Sequence, residues 1–303
     1  MRLVSFLSPD GDVRAGVCIG ESVCDVSALA AAVGVDLPSD ITELLIVDEG
    51  LEITGNIVSR VNDFPSLSFD QVTLLAAVPF PGKILALAGN YQAHIQESGG
   101  DAVDKSRITP RVFMKPGTSI IGTNEPIILP KWSETVDYEL ELTIVIGQEA
   151  KNVDVDSAAD FIGGFVVSND VSARSLTISE ERDERPMDEF FDWLNGKWFD
   201  SFGAIGPYLV TTDEIDDPHN LKMRLSVNGE KRQDGNTGQM IFNCSEIVSF
   251  CSHLVTLEPG DLIMTGTPSG VGQTTGTYLN AGDEVEAEIE HLGILRNIVD
   301  EED

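Results

Sequence analysis

The strongest constraint on the fold of this chain is a stretch of alternating side chains at 136–146. Six apolar residues would share one face of an extended strand: Val136, Tyr138, Leu140, Leu142, Ile144 and Ile146. The opposite face would carry Glu139, Glu141, Thr143 and Val145. A half-buried strand with a solvated acidic face explains this pattern. A strand that brings two carboxylates under cover explains it equally well, because a divalent cation such as Mg²⁺, Mn²⁺ or Ca²⁺ would offset their repulsion.

Charge and hydropathy narrow the class of protein. The 303 residues include 51 acidic and 19 basic side chains, a net charge of −32 that argues against nucleic-acid binding. The acids are spread along the whole chain, which predicts a halophilic protein adapted to a salt-rich cytoplasm. No apolar run approaches the roughly 20 residues that span a bilayer, and the first residues do not resemble a signal peptide. We therefore expect a cytoplasmic protein without membrane partners, whose four cysteines are free thiols.

The proline and glycine residues at 79–82 interrupt regular secondary structure and predict a domain boundary there. Residues 1–78 are expected to form a small N-terminal domain rich in β-strands. Residues 79–303 are expected to form the catalytic domain.

One histidine and one glutamate stand at helical spacing after the predicted strand at 83–88. If residues 92–100 are helical, His94 and Glu97 lie one turn apart on one face. A carboxylate behind an imidazole gives a general base, although an ordinary surface pair has the same spacing. The glycine-containing segment at 99–107 is typical of a lid that closes over a ligand.

Three further positions place polar groups at the ends of predicted elements. Asp170 ends a buried strand, where it either supplies a third oxygen ligand or caps a helix that starts near Ser172. Lys197, between glycine and aromatic residues, is suited to burial beside carboxylates, although most lysines lie on the surface. The loop that opens at Gly266 and Thr267 lacks the nucleotide-binding signature but can offer N–H groups and a hydroxyl to a carboxylate.

Five motifs in order resemble those of the fumarylacetoacetate hydrolase family, in its acylpyruvase-like or 2-hydroxyhepta-2,4-diene-1,7-dioate isomerase-like branch. They are Gly-Asn-Tyr-x-x-His-x-x-Glu at 89–97, Asp-Tyr-Glu-x-Glu-Leu at 137–142, Asn-Asp-Val-Ser-Ala-Arg at 169–174, Gly-Lys-x-Phe-Asp-Ser-Phe at 196–202, and Leu-Glu-Pro-Gly-Asp-Leu-Ile-x-Thr-Gly-Thr-Pro-Ser-Gly-Val-Gly at 257–272. The resemblance implies an α+β, mainly β protein with a mixed β-roll, usually a homodimer. It favours the metal hypothesis for the acidic strand.

The resemblance also implies roles for individual residues. Mg²⁺ or Mn²⁺ would be held by Glu139, Glu141 and Asp170, and Ca²⁺ is a further candidate. The catalytic residues would be His94, Glu97 and Lys197. The substrate would be bound by Asn90, Tyr91, Arg174, Gly266 and Thr267.

The implied reaction is hydrolysis of a carbon–carbon bond in a small anionic 2-oxo acid, such as an acylpyruvate or fumarylpyruvate, through a metal-stabilised enolate. Decarboxylation, isomerisation or dehydration of a 2-oxo acid at the same site stays open, with oxaloacetate, 2-hydroxymuconate-type acids and 2-oxo-3-deoxy sugar acids as candidate substrates. A non-catalytic cation-binding protein is a third alternative.

Two departures from the family pattern bear on the choice of substrate. Thr177 stands where many acylpyruvate-cleaving members have glutamine, and the segment at 175–195 is longer than in the shortest members. Arg182 and Arg185 lie in that segment, where they either face an acidic substrate or belong to a solvated charge run.

Overall fold

The computed structural model describes residues 1–20, 22–60, 65–176, 178–179, 181–183 and 185–302. Thr177 lies outside the described residues. The strands are β1 (Arg2–Leu7), β2 (Val13–Ile19), β3 (Ser22–Asp25), β4 (Leu67–Ser68), β5 (Thr73–Leu74), β6 (Ile84–Leu87), β7 (Val112–Lys115), β8 (Ile120–Ile121), β9 (Ile127–Leu129), β10 (Val136–Asp137), β11 (Leu140–Ile146), β12 (Ile162–Asp170), β13 (Ser172–Ala173), β14 (Gly203–Thr211), β15 (Lys222–Val227), β16 (Glu230–Asn236), β17 (Leu262–Met264), β18 (Glu284–Ile289) and β19 (Gly293–Glu301).

The described part of the chain also forms seven α-helices, the longest of which have 11 residues. The α-helices are α1 (Val26–Ala32), α2 (Ile41–Ile46), α3 (Gly50–Arg60), α4 (Gln92–Glu97), α5 (Asp188–Asn195), α6 (Cys244–Leu254) and α7 (Gly272–Thr275). Single 3₁₀ turns occupy Phe69–Gln71, Lys105–Arg107, Gly117–Ser119, Ala158–Phe161, Thr212–Glu214 and Thr237–Gln239. Among the described residues, no helix has both the length and the apolar character needed to cross a membrane.

The main sheet is mixed and has β11 near its centre. Its order is β4-β3-β2-β1-β14-β12-β11-β17-β6-β7, with β5 beside β1 and β8 beside β14. Every residue of β11 and β12 is buried. The acidic strand is therefore covered on both faces rather than half-solvated, and its carboxylates need partners inside the protein.

The two faces of this sheet are covered by different elements. A second sheet, ordered β16-β15-β18-β19-β9, packs on one face, so that Leu140 and Leu142 of β11 share a core with Leu225 and Leu295. The helices of the N-terminal part cover the other face. There, a core joins side chains from the N-terminal strands and helices to three of the central strands: Leu29, Ile41, Leu44, Val145, Val166 and Ile205.

The architecture confirms the expected α+β, mainly β fold class. The N-terminal strands continue the main sheet, because Leu3 of β1 pairs with Leu209 of β14. The domain boundary at residues 78 and 79 stays a prediction.

The helix predicted near Ser172 is wrong. Ser172 and Ala173 form β13, which pairs with β10 through Val136 and Asp137. The Ser172 hydroxyl donates to the carbonyl oxygen of Asp170 at 2.9 Å, and the Ala173 N–H donates to the carbonyl oxygen of Gly196 at 2.9 Å. These bonds satisfy the backbone in an extended form, so no helix starts at this point for Asp170 to cap.

Candidate active site

Three buried carboxylates converge where β11 and β12 run side by side. The register pairs Leu140 with Asn169, which sets Glu139 and Glu141 beside Asp170 at the end of β12. One oxygen from each of these three acids lies within 4.8 Å of the others. The three residues are 5%, 1% and 1% exposed, respectively. The structure thus brings the three predicted metal ligands together.

Two buried lysines contact this acidic cluster. The ammonium of Lys197 donates to Glu139 Oε2 at 2.8 Å and to Asp170 Oδ2 at 2.7 Å. Burial acts to lower the pKa of Lys197, but the charges of Asp170 and Glu139 outweigh it and raise that pKa. Lys115, which the sequence reasoning missed, donates to Asp170 Oδ1 at 2.5 Å and to the Lys197 carbonyl at 2.6 Å. Asp170 is therefore held from two sides.

Arg174 links the acidic cluster to a fourth buried carboxylate, which the sequence reasoning also missed. Its guanidinium donates to Asp137 Oδ2 at 2.9 Å and, through a short contact, to Glu139 Oε1. Asp137 also accepts the N–H groups of Gly272 and Gln273 at 2.6 and 2.9 Å. Burial of Glu139 acts to raise its pKa, but the nearby Lys197 and Arg174 charges lower it overall. Glu139 is thus held as a carboxylate.

Glu141 has the fewest partners of the three acids. Its Oε2 accepts the Gly266 N–H at 2.6 Å, whereas its Oε1 is buried and has no hydrogen-bond partner in the described part of the chain. Gly266 adopts a φ of +95°, and a Cβ there would lie 2.8 Å from the Cβ of Asn90, so only glycine brings this N–H so close. Burial, followed by the charges of Asp170 and Glu139, raises the pKa of Glu141 well above its usual value.

The donor set suits a hard divalent cation. When all are ionised, four buried carboxylates (Asp137, Glu139, Glu141 and Asp170) lie beside two buried lysines (Lys115 and Lys197) and the largely buried guanidinium of Arg174, which leaves one negative charge in excess. The unpartnered Glu141 Oε1 belongs to the least compensated acid. A divalent ion held by carboxylate oxygens would offset this charge and use that oxygen. The residues present therefore fit Mg²⁺ or Mn²⁺.

The predicted His94–Glu97 pair forms on α4, as the spacing indicated. His94 Nδ1 lies 2.9 Å from Glu97 Oε1. The other oxygen of Glu97 accepts the Gly270 N–H at 2.8 Å and the Thr274 hydroxyl at 3.1 Å. Burial acts to raise the pKa of Glu97, but its hydrogen bonds to His94 and Gly270 lower it overall. An ionised Glu97 holds the proton on Nδ1 and leaves Nε2 as the basic nitrogen.

A cavity of about 570 Å³ is lined by His94 of this pair and by Glu139 of the acidic cluster. Its polar lining comes from His94, Ser98, Arg111, Glu139, Arg174, Lys197, Thr267 and Gln273. Its apolar lining comes from Leu87, Val112, Phe113, Phe190 and Trp193. The rings of Phe113 and Trp193 pack edge to face at 5.1 Å. The lining of the cavity is thus partly charged and partly apolar.

The remaining predicted residues divide between the cavity and the core. Thr267 lines the cavity, and its hydroxyl oxygen accepts a hydrogen bond from Gln233 at 2.8 Å, which leaves its own hydrogen available. Asn90 lines a neighbouring cavity and bonds the backbone of Phe242. Tyr91 lies in the apolar core with its hydroxyl 3.2 Å from Met223 Sδ and does not line the cavity, so its role in binding substrate stays a prediction.

Arg182 and Arg185 pair with acids of α5. Arg182 donates two hydrogen bonds to the Asp192 carboxylate at 2.8 and 2.6 Å, and Arg185 bonds Asp188 at 3.1 Å. Neither arginine lines the cavity that holds His94 and Glu139.

Comparison with known proteins shows similarity in both sequence and structure. Residues 83–300 match the family model described as fumarylacetoacetate (FAA) hydrolase, C-terminal. A mitochondrial oxaloacetate tautomerase of Bos taurus is 39% identical over 306 residues, covering 99% of this chain and 91% of its own length. A 5-carboxymethyl-2-hydroxymuconate delta-isomerase from Mycobacterium smegmatis superposes with a TM-score of 0.73 at 32% identity, and both chains are fully covered. The maleylpyruvate hydrolase of Sphingobium sp. SYK-6, solved with manganese(II) and pyruvate, gives a TM-score of 0.77 at 28% identity, again with full coverage of both chains.

Proposed function

This chain belongs to the fumarylacetoacetate hydrolase family, and on that premise we propose that it is a keto–enol tautomerase of a small 2-oxo acid such as oxaloacetate. The relatives that match nearly the whole chain at 38–39% identity carry the name oxaloacetate tautomerase. Tautomerisation is the isomerase form of the chemistry expected from the sequence. It needs a proton carrier beside a site that stabilises negative charge on a carbonyl oxygen.

The observation that carries this proposal is that His94, which is paired with Glu97, and Glu139, which belongs to the acidic cluster, line the same cavity. Glu139, Glu141 and Asp170 would hold Mg²⁺ or Mn²⁺ there. When bound, such an ion acts as a Lewis acid on the carboxylate and 2-oxo oxygens of the substrate.

The side chains around the cavity have separate tasks in this proposal. Conversion of enol to ketone removes a proton from the 2-hydroxyl group and adds one at C3. His94 Nε2 is the basic atom at the cavity, so it would carry this proton while Glu97 keeps the ring oriented. Lys197 and Arg174 fix the positions of the carboxylates and add positive charge. The hydrogen of the Thr267 hydroxyl is available for the substrate carboxylate.

The test is to follow the ultraviolet absorbance of enol-oxaloacetate as it decays to the ketone, with Mn²⁺ present. The wild-type protein should accelerate the decay, and Glu141→Gln and His94→Ala should each abolish the acceleration. His253→Ala is the matched control, since this histidine is exposed on α6 and lies outside the cavity. An equal loss in His253→Ala, or no loss in His94→Ala, would contradict the assignment.

The second candidate is hydrolysis of an acylpyruvate, and the size of the cavity favours it. A volume of about 570 Å³ is within the range that holds drug-sized ligands, which is more room than a four-carbon acid needs. In this reaction water adds its hydroxyl to the acyl carbon, the carbon–carbon bond breaks, and a proton completes the methyl group of pyruvate. Measuring pyruvate from fumarylpyruvate and carbon dioxide from oxaloacetate, in the same sample, separates hydrolysis and decarboxylation from tautomerisation.

We also propose a homodimer and a salt-adapted cytoplasmic protein, on the basis of the family resemblance and the net charge of −32. Light scattering during gel filtration tests the first proposal. The mitochondrial location in the names of the relatives belongs to those proteins.

A further inference from the structure

The catalytic cavity has a neighbour that extends it beneath the lid segment. This second cavity of about 410 Å³ is lined by residues of 100–103 and 108–111 and by Phe242. The two cavities share Leu87, Ala88, Gly89 and Arg111. Arg111 therefore lines both cavities, at the residues that the two spaces share.

Arg111 differs from the other cations of the catalytic cavity in having no internal partner. The ammonium of Lys197 and the guanidinium of Arg174 are bound to buried carboxylates. The guanidinium of Arg111 is exposed and makes no hydrogen bond or ion pair with any residue that the structure describes. Because acidic side chains outnumber basic ones 51 to 19, a cation left without an acid at a cavity wall is unusual in this chain.

The backbone of Arg111 is nevertheless held in place. Its carbonyl oxygen accepts the Ala88 N–H at 2.9 Å, and the next residue, Val112, pairs with Leu87 in the main sheet. Val112 and Phe113 then continue the wall as apolar surface. Lys197 Nζ lies 5.5 Å from the centre of the Phe113 ring, and Arg111 precedes Phe113 by two residues, so this apolar surface adjoins both the buried ammonium and the free guanidinium.

We propose that Arg111 recognises a second acidic group on the substrate, and that the enzyme selects 2-oxo acids with a distal carboxylate. The inference rests on the proposed function, since the 2-oxo acid end is taken to lie at Glu139, Glu141 and Asp170. A guanidinium binds a carboxylate through two parallel hydrogen bonds, whereas an ammonium does so as a point charge. The apolar wall would contact the carbon chain between the two ends.

The test compares matched pairs of 2-oxo acids that differ only at the distal end. Oxaloacetate, 2-oxoglutarate and 2-oxoadipate are paired with 2-oxobutanoate, 2-oxopentanoate and 2-oxohexanoate, and binding is measured by calorimetry with Mn²⁺ at constant ionic strength. In the wild-type protein at least one diacid should bind about tenfold or more tightly than its partner, which is about 1.4 kcal/mol. Arg111→Gln should remove that preference and leave the affinity for the monoacid unchanged, and Arg111→Lys should restore only part of it.

The matched control is Arg107→Gln, which removes the same charge from the lid segment at an exposed residue that lines neither cavity. It should keep the preference for the diacid. The inference is overturned if Arg111→Gln keeps that preference, or if Arg107→Gln loses it equally. Preferential binding of diacids without any turnover would refute the proposed function and leave the role of Arg111 standing. If no 2-oxo acid binds to the wild-type protein, both are refuted.

Discussion

Replacing Glu141 with glutamine should change the response of stability to pH in a calculable direction. In the metal-free protein, burial and the charges of Asp170 and Glu139 raise the pKa of Glu141 above its usual value of 4.5. Between 4.5 and the raised pKa, the folded state holds one proton more than the unfolded state. The free energy of unfolding then falls as pH rises, by about 1.4 kcal/mol per pH unit.

This slope corresponds to a change in melting temperature with pH. At about 2.1 cal/mol/K per residue, the unfolding entropy of 303 residues is about 0.6 kcal/mol/K, so the loss is about 2 °C per pH unit. Glu141→Gln removes the titrating group, and the Gly266 N–H still finds an oxygen acceptor. Without metal, the variant should gain about 2 °C on the wild type for each pH unit above 4.5, within the window set by the raised pKa.

A divalent ion should act in the opposite direction. At one hundred times its Kd, a ligand of the folded state adds about 2.7 kcal/mol, or about 4 °C for a chain of this length. The wild-type protein should gain this from Mn²⁺ and Glu141→Gln should not.

The assay is scanning calorimetry from pH 5 to pH 7.5, in EDTA and in Mn²⁺. Glu149→Gln is the control, since it removes the same charge from an exposed position outside the cavity that His94 and Glu139 line. Identical pH slopes and identical Mn²⁺ shifts in the wild type and Glu141→Gln would refute the reasoning.

Three further outcomes are expected. His94→Ala should lower kcat by about 10²–10⁴ and leave calorimetric Mn²⁺ binding intact; loss of metal binding would contradict a role in proton transfer. Lys115→Met removes a buried partner of Asp170, so the melting temperature should fall by about 5–8 °C. The exposed Lys105→Met is the control and should lower it by less than about 2 °C. Equal losses in the two variants would count against a contribution of the buried pair to stability. The free energy of unfolding should rise from dilute buffer to molar KCl, and greater stability in dilute buffer would exclude salt adaptation.

The parts of the site that depend on local spacing could be predicted from the sequence. His94 and Glu97 are three residues apart on one short helix, so their contact follows from helical geometry alone. The family assigned from five motifs in order is confirmed by the match over residues 83–300. The catalytic roles of these residues stay predictions.

Lys115 could not be predicted because its environment inverts the usual pattern. In β7, the apolar Met114 is 49% exposed and the charged Lys115 is 4% exposed. Hydropathy assigns the opposite orientation to both. The lysine is buried because its partners, Asp170 and the carbonyl of Lys197, are 55 and 82 residues away in sequence and reach it only in the folded sheet.

Asp137 was missed for a related reason. In the sequence it stands at the start of an alternating strand, where one more acidic residue predicts no particular role. Its partners are the arginine at 174 and the N–H groups at 272 and 273, which come from two distant segments. Because these partners are distant in sequence, no periodic pattern of residues predicts the hydrogen bonds of Asp137.

The pairing of β1 with β14 limits how this chain can be dissected. A fragment that began at residue 83 would retain the matched family region but would strip β14 of its neighbour at Leu209 and Val210. It would also uncover Val166 and Ile205, which now pack against the amino-terminal helices. An edge strand with unpaired N–H and C=O groups can pair with strands of other molecules. Such a fragment should therefore precipitate or form fibrils. The exposed strand β14 pairs directly with β12, which ends at Asp170, so the disruption would lie one strand away from this carboxylate.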